Sequence, residues 1–179
     1  CHVVNGGSIT AVKDGKSIDT SMGFTPLDGF MMGTRTGTLD PSAITYIAEK
    51  ENLAPADLNR IFNKESGVLG VSGISNDNRD VAAAAEAGNH RAQLAIDMQR
   101  YQILKFVGSY VAAMNGVDAI VFTGGIGEKN YDIREAVCDS LTYLGLELDK
   151  DFNKEHAHIK GTDYKISTDA SKVAVFAVS

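Results

Sequence analysis

The run Asp118-Ala119-Ile120-Val121-Phe122 passes directly into Thr123-Gly124-Gly125-Ile126-Gly127-Glu128, and this junction constrains the fold more than any other stretch. The apolar run reads as a buried strand. Residues 130–145 read as a helix. Strand, glycine turn and helix together let backbone approach a nucleotide with no side chain in the way. The helix start favours negative charge nearby. Glycine turns after strands also occur without any ligand, so the weight of this one depends on what lies upstream.

The 179 residues suffice for one domain with a substantial core or one domain with an appendage. A net charge of −6 argues against a nucleic-acid partner, which needs a basic face. A nucleotide can still bind through Mg²⁺ and backbone N–H groups. No apolar run approaches membrane-spanning length, and no signal peptide is visible at the start. Two cysteines, Cys1 and Cys138, make no disulfide framework, which fits a reducing, cytoplasmic compartment. Cys138 lies in an apolar helical pattern and is expected in the core rather than as a nucleophile. Both ends run through strand-like segments, so the chain reads as a fragment of a longer protein.

The opening predicts three short strands in an antiparallel meander, turned at Asn5-Gly6 and Asp14-Gly15, where both turn positions need φ > 0. Residues 22–40 hold four glycines and read as a long shaped loop with one helical turn at most. Asp40-Pro41 starts a helix ending near Asn52. A second helix spans 55–64, with Gly67 as its stop. Residues 68–74 form a short apolar segment, and helices follow over 79–87 and 89–115. Residues 147–161 read as polar loop, and 164–167 and 173–178 as closing strands. This order gives α/β with a mixed sheet, and no linker divides the chain.

Three further elements carry chemistry. The turn in His2-Val3-Val4-Asn5-Gly6-Gly7-Ser8 exposes N–H groups that can hold a phosphate oxygen; taken alone it is an ordinary hairpin. Gly33-Thr34-Arg35-Thr36-Gly37 presents an arginine that can clamp a carboxylate or phosphoryl group, or simply sit in solvent. Asp77-Asn78-Arg79 sets an acid and a base at a helix start, where capping is the plain alternative.

In order, these blocks resemble the C-terminal half of an acetate kinase. The resemblance rests on residues 2–8, the nearly unbroken run Asp19 to Pro41, Ser72-Gly-Ile-Ser-Asn-Asp-Asn-Arg-Asp80 and Phe122-Thr-Gly-Gly-Ile-Gly-Glu128. It implies an α/β, ribonuclease-H-like domain of the sugar kinase, Hsc70 and actin group, with a mixed five-stranded sheet flanked by helices. Residues 1–179 would then be the second domain of a two-domain kinase, lacking the first domain and the extreme C-terminus. It implies ATP/ADP and Mg²⁺ as cofactors and acetate as phosphoryl acceptor, yielding acetyl phosphate. His2, Val3, Val4, Asn5 and Gly6 would form a phosphate-binding loop. Asp77, Asn78 and Arg79, with Gly125, Ile126, Gly127, Glu128 and Lys129, would line adenosine and ribose. Arg35 would stabilise the transferring phosphoryl group and help hold the carboxylate. The reading requires the bends at Asn5 and Gly125 to face each other across one cleft.

The resemblance breaks at Val4, where the family usually has glycine, and at Lys129, where it usually has asparagine. It places further substrate contacts on the absent domain, so the fragment alone is expected to be inactive and to bind nucleotide weakly. No metal ligand set is expected; Asp77 and Asp80 are not assigned to one. His156 and His158 read as solvated loop residues and His90 as exposed. Propionate or butyrate kinase is the nearest alternative. A non-catalytic platform for a homodimer, the family's dimer contact lying in this domain, is another. A Rossmann-type dehydrogenase is disfavoured by the glycine spacing and the N-terminal meander.

Overall fold

The computed structural model describes residues 1–157 and 163–179. Strands β1 (His2–Val3), β2 (Gly7–Ser8), β3 (Thr10–Lys13) and β4 (Lys16–Thr20) open the chain. Helices α1 (Pro41–Lys50), α2 (Pro55–Lys64), α3 (Gly67–Ser72), α4 (Asn78–Glu86) and α5 (His90–Met114) follow. Strand β5 (Ala119–Thr123) leads into α6 (Gly124–Lys129), α7 (Tyr131–Asp139), a 3-10 turn (Thr142–Leu144) and α8 (Lys150–Glu155). Strands β6 (Tyr164–Lys165) and β7 (Ala174–Val178) end it. The chain divides into two compact units, one of Cys1–Ser21 with Arg100–Ser179, the other of Met22–Gln99. One boundary falls inside the continuous helix α5, which is why no linker marks it in the sequence.

The first unit holds a five-stranded sheet in the order β2-β1-β5-β7-β6. Strands β1, β5 and β7 are parallel, and β2 and β6 pair antiparallel at the edges. This is the mixed α/β sheet the sequence predicts. Strand β5 is not buried throughout. Ile120 and Phe122 are buried, as are Val175 and Ala177 of β7, but Val121 is 40% exposed. Alternating side chains place one set in the core and the other on the opposite face.

The opening meander is corrected in two places. The strand expected over residues 8–13 breaks at Ile9, whose N–H and C=O are both taken by Ser21, through Oγ at 2.9 Å and N at 2.8 Å. Strands β3 and β4 therefore form a sheet of their own. Their turn has Asp14 and Gly15 at φ 51° and 72°, the mirror-image turn that suits strand twist. Asn5 and Gly6 do not have positive φ. The β1–β2 connection is instead a three-residue loop, Val4-Asn5-Gly6, closed by Val4 N–H donating to Gly6 O at 3.1 Å.

The glycine stretch is not an open turn: α6 begins at Gly124 itself. Helix α7 is shorter than expected and buries Ile133, Arg134, Val137 and Cys138. Asn130 caps it by accepting from Ile133 N–H at 3.1 Å. Residues 147–161 are not all loop. Asp149 accepts from Phe152 N–H at 3.0 Å and starts α8. His156 is half-buried and stacks on Phe152 at 3.7 Å, so it is not a solvated loop residue. His158 lies outside the described residues.

In the second unit, residues 22–40 form a loop with no helix or strand. Phe30, Met31 and Met32 are buried, and Met31 packs with Val68, Val81, Ala92 and Ala95. The expected short apolar segment is helix α3, and Gly67 opens it rather than stopping α2. Gly67 has φ +65°, and a Cβ there would strike the carbonyl oxygens of Met32 and Arg35. The first amides of α3 are capped by the loop: Val68 N–H donates to Met32 O at 2.8 Å and Leu69 N–H to Gly33 O at 2.9 Å. The helix end thus finds the acceptors it lacks internally.

Candidate functional site

Parallel pairing of β1 with β5, registered at His2 and Thr123, brings the two suspected bends side by side. Thr123 N–H donates to Cys1 O at 2.9 Å. Both bends follow the carboxyl ends of parallel strands, the place where open α/β sheets bind ligands. They are neighbours rather than opposite walls of a cleft. Gly124, at φ +79°, carries the close approach: a Cβ on it would lie 2.7 Å from Val4 Cγ1 and 3.0 Å from Val3 O. Gly125 differs. A Cβ there would meet nothing within 4 Å, so no packing demands glycine, and the space above its backbone is open.

The candidate residues here separate by exposure. His2, Asn5, Gly125 and Lys129 are exposed, and Val4, Gly6, Ile126 and Glu128 are half-buried. Val3 is fully buried and Gly127 buried against it, so Val3 can offer a ligand only backbone. Val4, one of the two departures from the family pattern, rests on Gly124 instead of reaching into the core. Lys129 ends α6, and Asn130 beside it is occupied as the cap of α7.

In the second unit, Arg35 is half-buried. Its Nη1 reaches the Pro26 carbonyl at 3.4 Å and the Met32 sulfur at 3.8 Å. The first contact is long and the second is to a weak thioether acceptor, so they leave its cation able to take a carboxylate or phosphoryl group. The loop around it is held by Met32 N–H to Arg35 O at 3.1 Å and Ser66 N–H to Thr34 O at 3.0 Å. Asp77 is the N-cap of α4 and accepts from Arg79 N–H at 2.9 Å. Arg79 also forks onto it, Nε to Oδ1 at 3.0 Å and Nη2 to Oδ2 at 2.6 Å. That side-chain bond holds the Asp77 carboxyl down at about 2. Asn78 donates to Gln99 Oε1 at 3.4 Å. Capping, the plain alternative for this trio, is thus present.

A cleft of about 740 Å³ in the first unit shares His2 and Thr123 with the two bends but none of the glycines of α6. Its charged lining is Lys13 against Asp14 and Asp118, a poor arrangement for a polyanion. Among the described residues no three His, Cys, Asp or Glu side chains converge as a metal cage. Sequence reading missed Arg134 and Asn153, both fully buried beneath α6. The available signal was a charged residue inside the apolar stripe of α7.

The acetokinase family model matches residues 1–179. The chain belongs to that family. It is 54% identical over 178 residues to the acetate kinase of Carboxydothermus hydrogenoformans, covering 99% of this chain and 44% of that protein. It is 55% identical over 179 residues to that of Thermoanaerobacterium thermosaccharolyticum, with the same coverage. Among solved structures, Porphyromonas gingivalis acetate kinase superposes with a TM-score of 0.94 at 47% identity, over 99% of this chain and 44% of that one. A propionate kinase from Francisella tularensis superposes at 0.89 with 42% identity and the same coverage. The chain therefore spans less than half the length of the relatives it matches, and its α/β fold is that of the family, ribonuclease-H-like as the resemblance implies. No described helix is long and apolar enough to cross a membrane.

Proposed function

We propose that this chain is the nucleotide-binding, C-terminal domain of a two-domain, ATP-dependent acetate kinase. The observation that supports it best is the abutment of the Val4–Gly6 loop with α6, where Gly125 leaves backbone open at the carboxyl ends of β1 and β5. In this reading His2 and the 3–6 backbone meet phosphate oxygens, 125–129 line adenosine and ribose, and the family resemblance assigns nucleotide contacts to Asp77, Asn78 and Arg79 as well. The described residues form no metal cage, so Mg²⁺ would arrive on the nucleotide phosphates, as Mg²⁺ commonly does, and neutralise their charge.

An acetate oxygen attacks the γ-phosphorus, the bond from that phosphorus to the β–γ bridging oxygen breaks, and ADP leaves with the electron pair. The reverse step makes ATP from acetyl phosphate. Such transfers depend on positioning and on charge placed against the equatorial oxygens, not on covalent help. Arg35 supplies that charge and a fork for the acetate carboxylate. The domain also serves as the homodimer contact of a cytoplasmic protein.

Assay of the whole protein with ATP, Mg²⁺ and acetate, trapping acetyl phosphate as hydroxamate, tests this reading. Turnover with acetate supports it, and no ATP-dependent product overturns it. Propionate is run in parallel, because the similarity to a propionate kinase favours that second reading. Normal turnover by residues 1–179 alone would contradict the two-domain division of labour.

A further inference from the structure

Helix α6 is a weak helix: three of its six residues are glycine. Its last-turn carbonyls need partners outside the helix. Ile126 O accepts from Asn130 N–H at 2.8 Å. Gly127 O and Glu128 O both accept from one atom, Arg134 Nη1, at 2.8 Å and 2.5 Å. The other side of the guanidinium is equally engaged. Nε donates to Asn153 Oδ1 at 2.6 Å and Nη2 to Asn153 O at 3.1 Å. Asn153 in turn donates to Tyr131 O at 3.1 Å, tying the network to the start of α7.

Arg134 is 1% exposed and Asn153 0% exposed. Burial drives the guanidinium pKa down to about 10, which reflects the cost of placing a cation there. Apolar side chains of similar volume often stabilise such positions equally well. A cation under α6 is therefore better explained by the geometry it imposes than by stability. Lysine offers a compact ammonium with three rotatable donors and no planar fork.

We propose that Arg134, anchored by Asn153, is a positioning residue for the nucleotide site: it grips the Gly127 and Glu128 carbonyls from beneath and fixes the α6 backbone whose open side lies at Gly125. This rests on the reading of 125–129 as nucleotide-binding. Arg134 touches no ligand, and its effect passes through α6.

The test uses the whole protein and the variants Arg134→Lys and Asn153→Ala, with KM for ATP, KM for acetate and kcat measured separately. Arg134→Lys is expected to raise KM for ATP about tenfold, and Asn153→Ala by a smaller factor, with KM for acetate and kcat changed less than twofold. A purely structural role would lower the active fraction, and so kcat, without moving KM for ATP; that pattern in either folded variant overturns the proposal. If neither variant folds, the wild-type Arg134 Nε–H resonance decides. A shift on adding ADP supports the proposal, and no shift at saturating ADP overturns it. Wild-type protein that fails to bind ADP at all instead overturns the reading of 125–129, which separates the two failures.

Discussion

Val4 lies directly over Gly124, with only 2.7 Å between its Cγ1 and the place where a Cβ on Gly124 would sit. The β-branched side chain has little freedom to turn away. Gly124→Ala therefore meets both a steric conflict and a φ of +79°. The strained backbone alone should cost about 1–3 kcal/mol. In a Val4→Gly background the tightest of these contacts is removed, while those at 3.0 Å to His2 Cε1 and Val3 O remain, and the two changes should couple by about 1 kcal/mol. Denaturant midpoints of the four proteins in the cycle measure this; strictly additive effects would show that Val4 does not press on Gly124.

Arg35→Ala should reduce kcat by roughly a thousandfold, the low end of what an arginine at a transferring phosphoryl group supplies. KM for ATP should change only a few-fold. Arg35→Lys should recover a minor part, since it lacks the planar fork. Initial-rate kinetics on the whole protein distinguish these outcomes, and an unchanged kcat in Arg35→Ala would remove Arg35 from the chemistry.

The Asp77 carboxyl is held at about 2, chiefly by its side-chain bond to Arg79, against an ordinary value of 3.8. A carboxylate held low stabilises the folded state above its unfolded value, and loses that contribution as pH falls through about 2. Thermal midpoints of wild type and Asp77→Ala should differ by a constant amount above about pH 5, and the gap should narrow between pH 4 and pH 2 to what the cap alone contributes. A gap that does not narrow between pH 5 and pH 2 would mean the pair contributes nothing that titrates.

Burial pushes the Cys138 thiol up to about 12. The thiolate is the reactive form, so Cys138 should resist a thiol reagent in the native protein at pH 8 and react at once in denaturant. Mass spectrometry of alkylated peptides reads this directly. Rapid native labelling would show that α7 opens readily.

Much of the fold is legible in local chemistry. Asp40-Pro41, Asp77 and the apolar spacing of α5 mark their helices, and the apolar runs of β5 and β7 mark their strands. What was not legible depends on distant partners. Gly67 resembles a helix stop until the carbonyls of Met32 and Gly33 are seen capping the helix it begins. The break at Ile9 requires Ser21, and the three-residue Asn5 loop requires the register of β1 with β2. Of the candidate site, Gly124 is legible in the sequence because its φ of +79° selects glycine. Arg134 is not, because its role comes from carbonyls that lie on another helix.

The double duty of the loop before α3 has one more result. If the backbone at Met32 and Gly33 swung away, two amides of that helix would be left without acceptors. Any reorientation of Arg35 must therefore come from rotation about its own side-chain bonds, with the main chain acting as a fixed pivot.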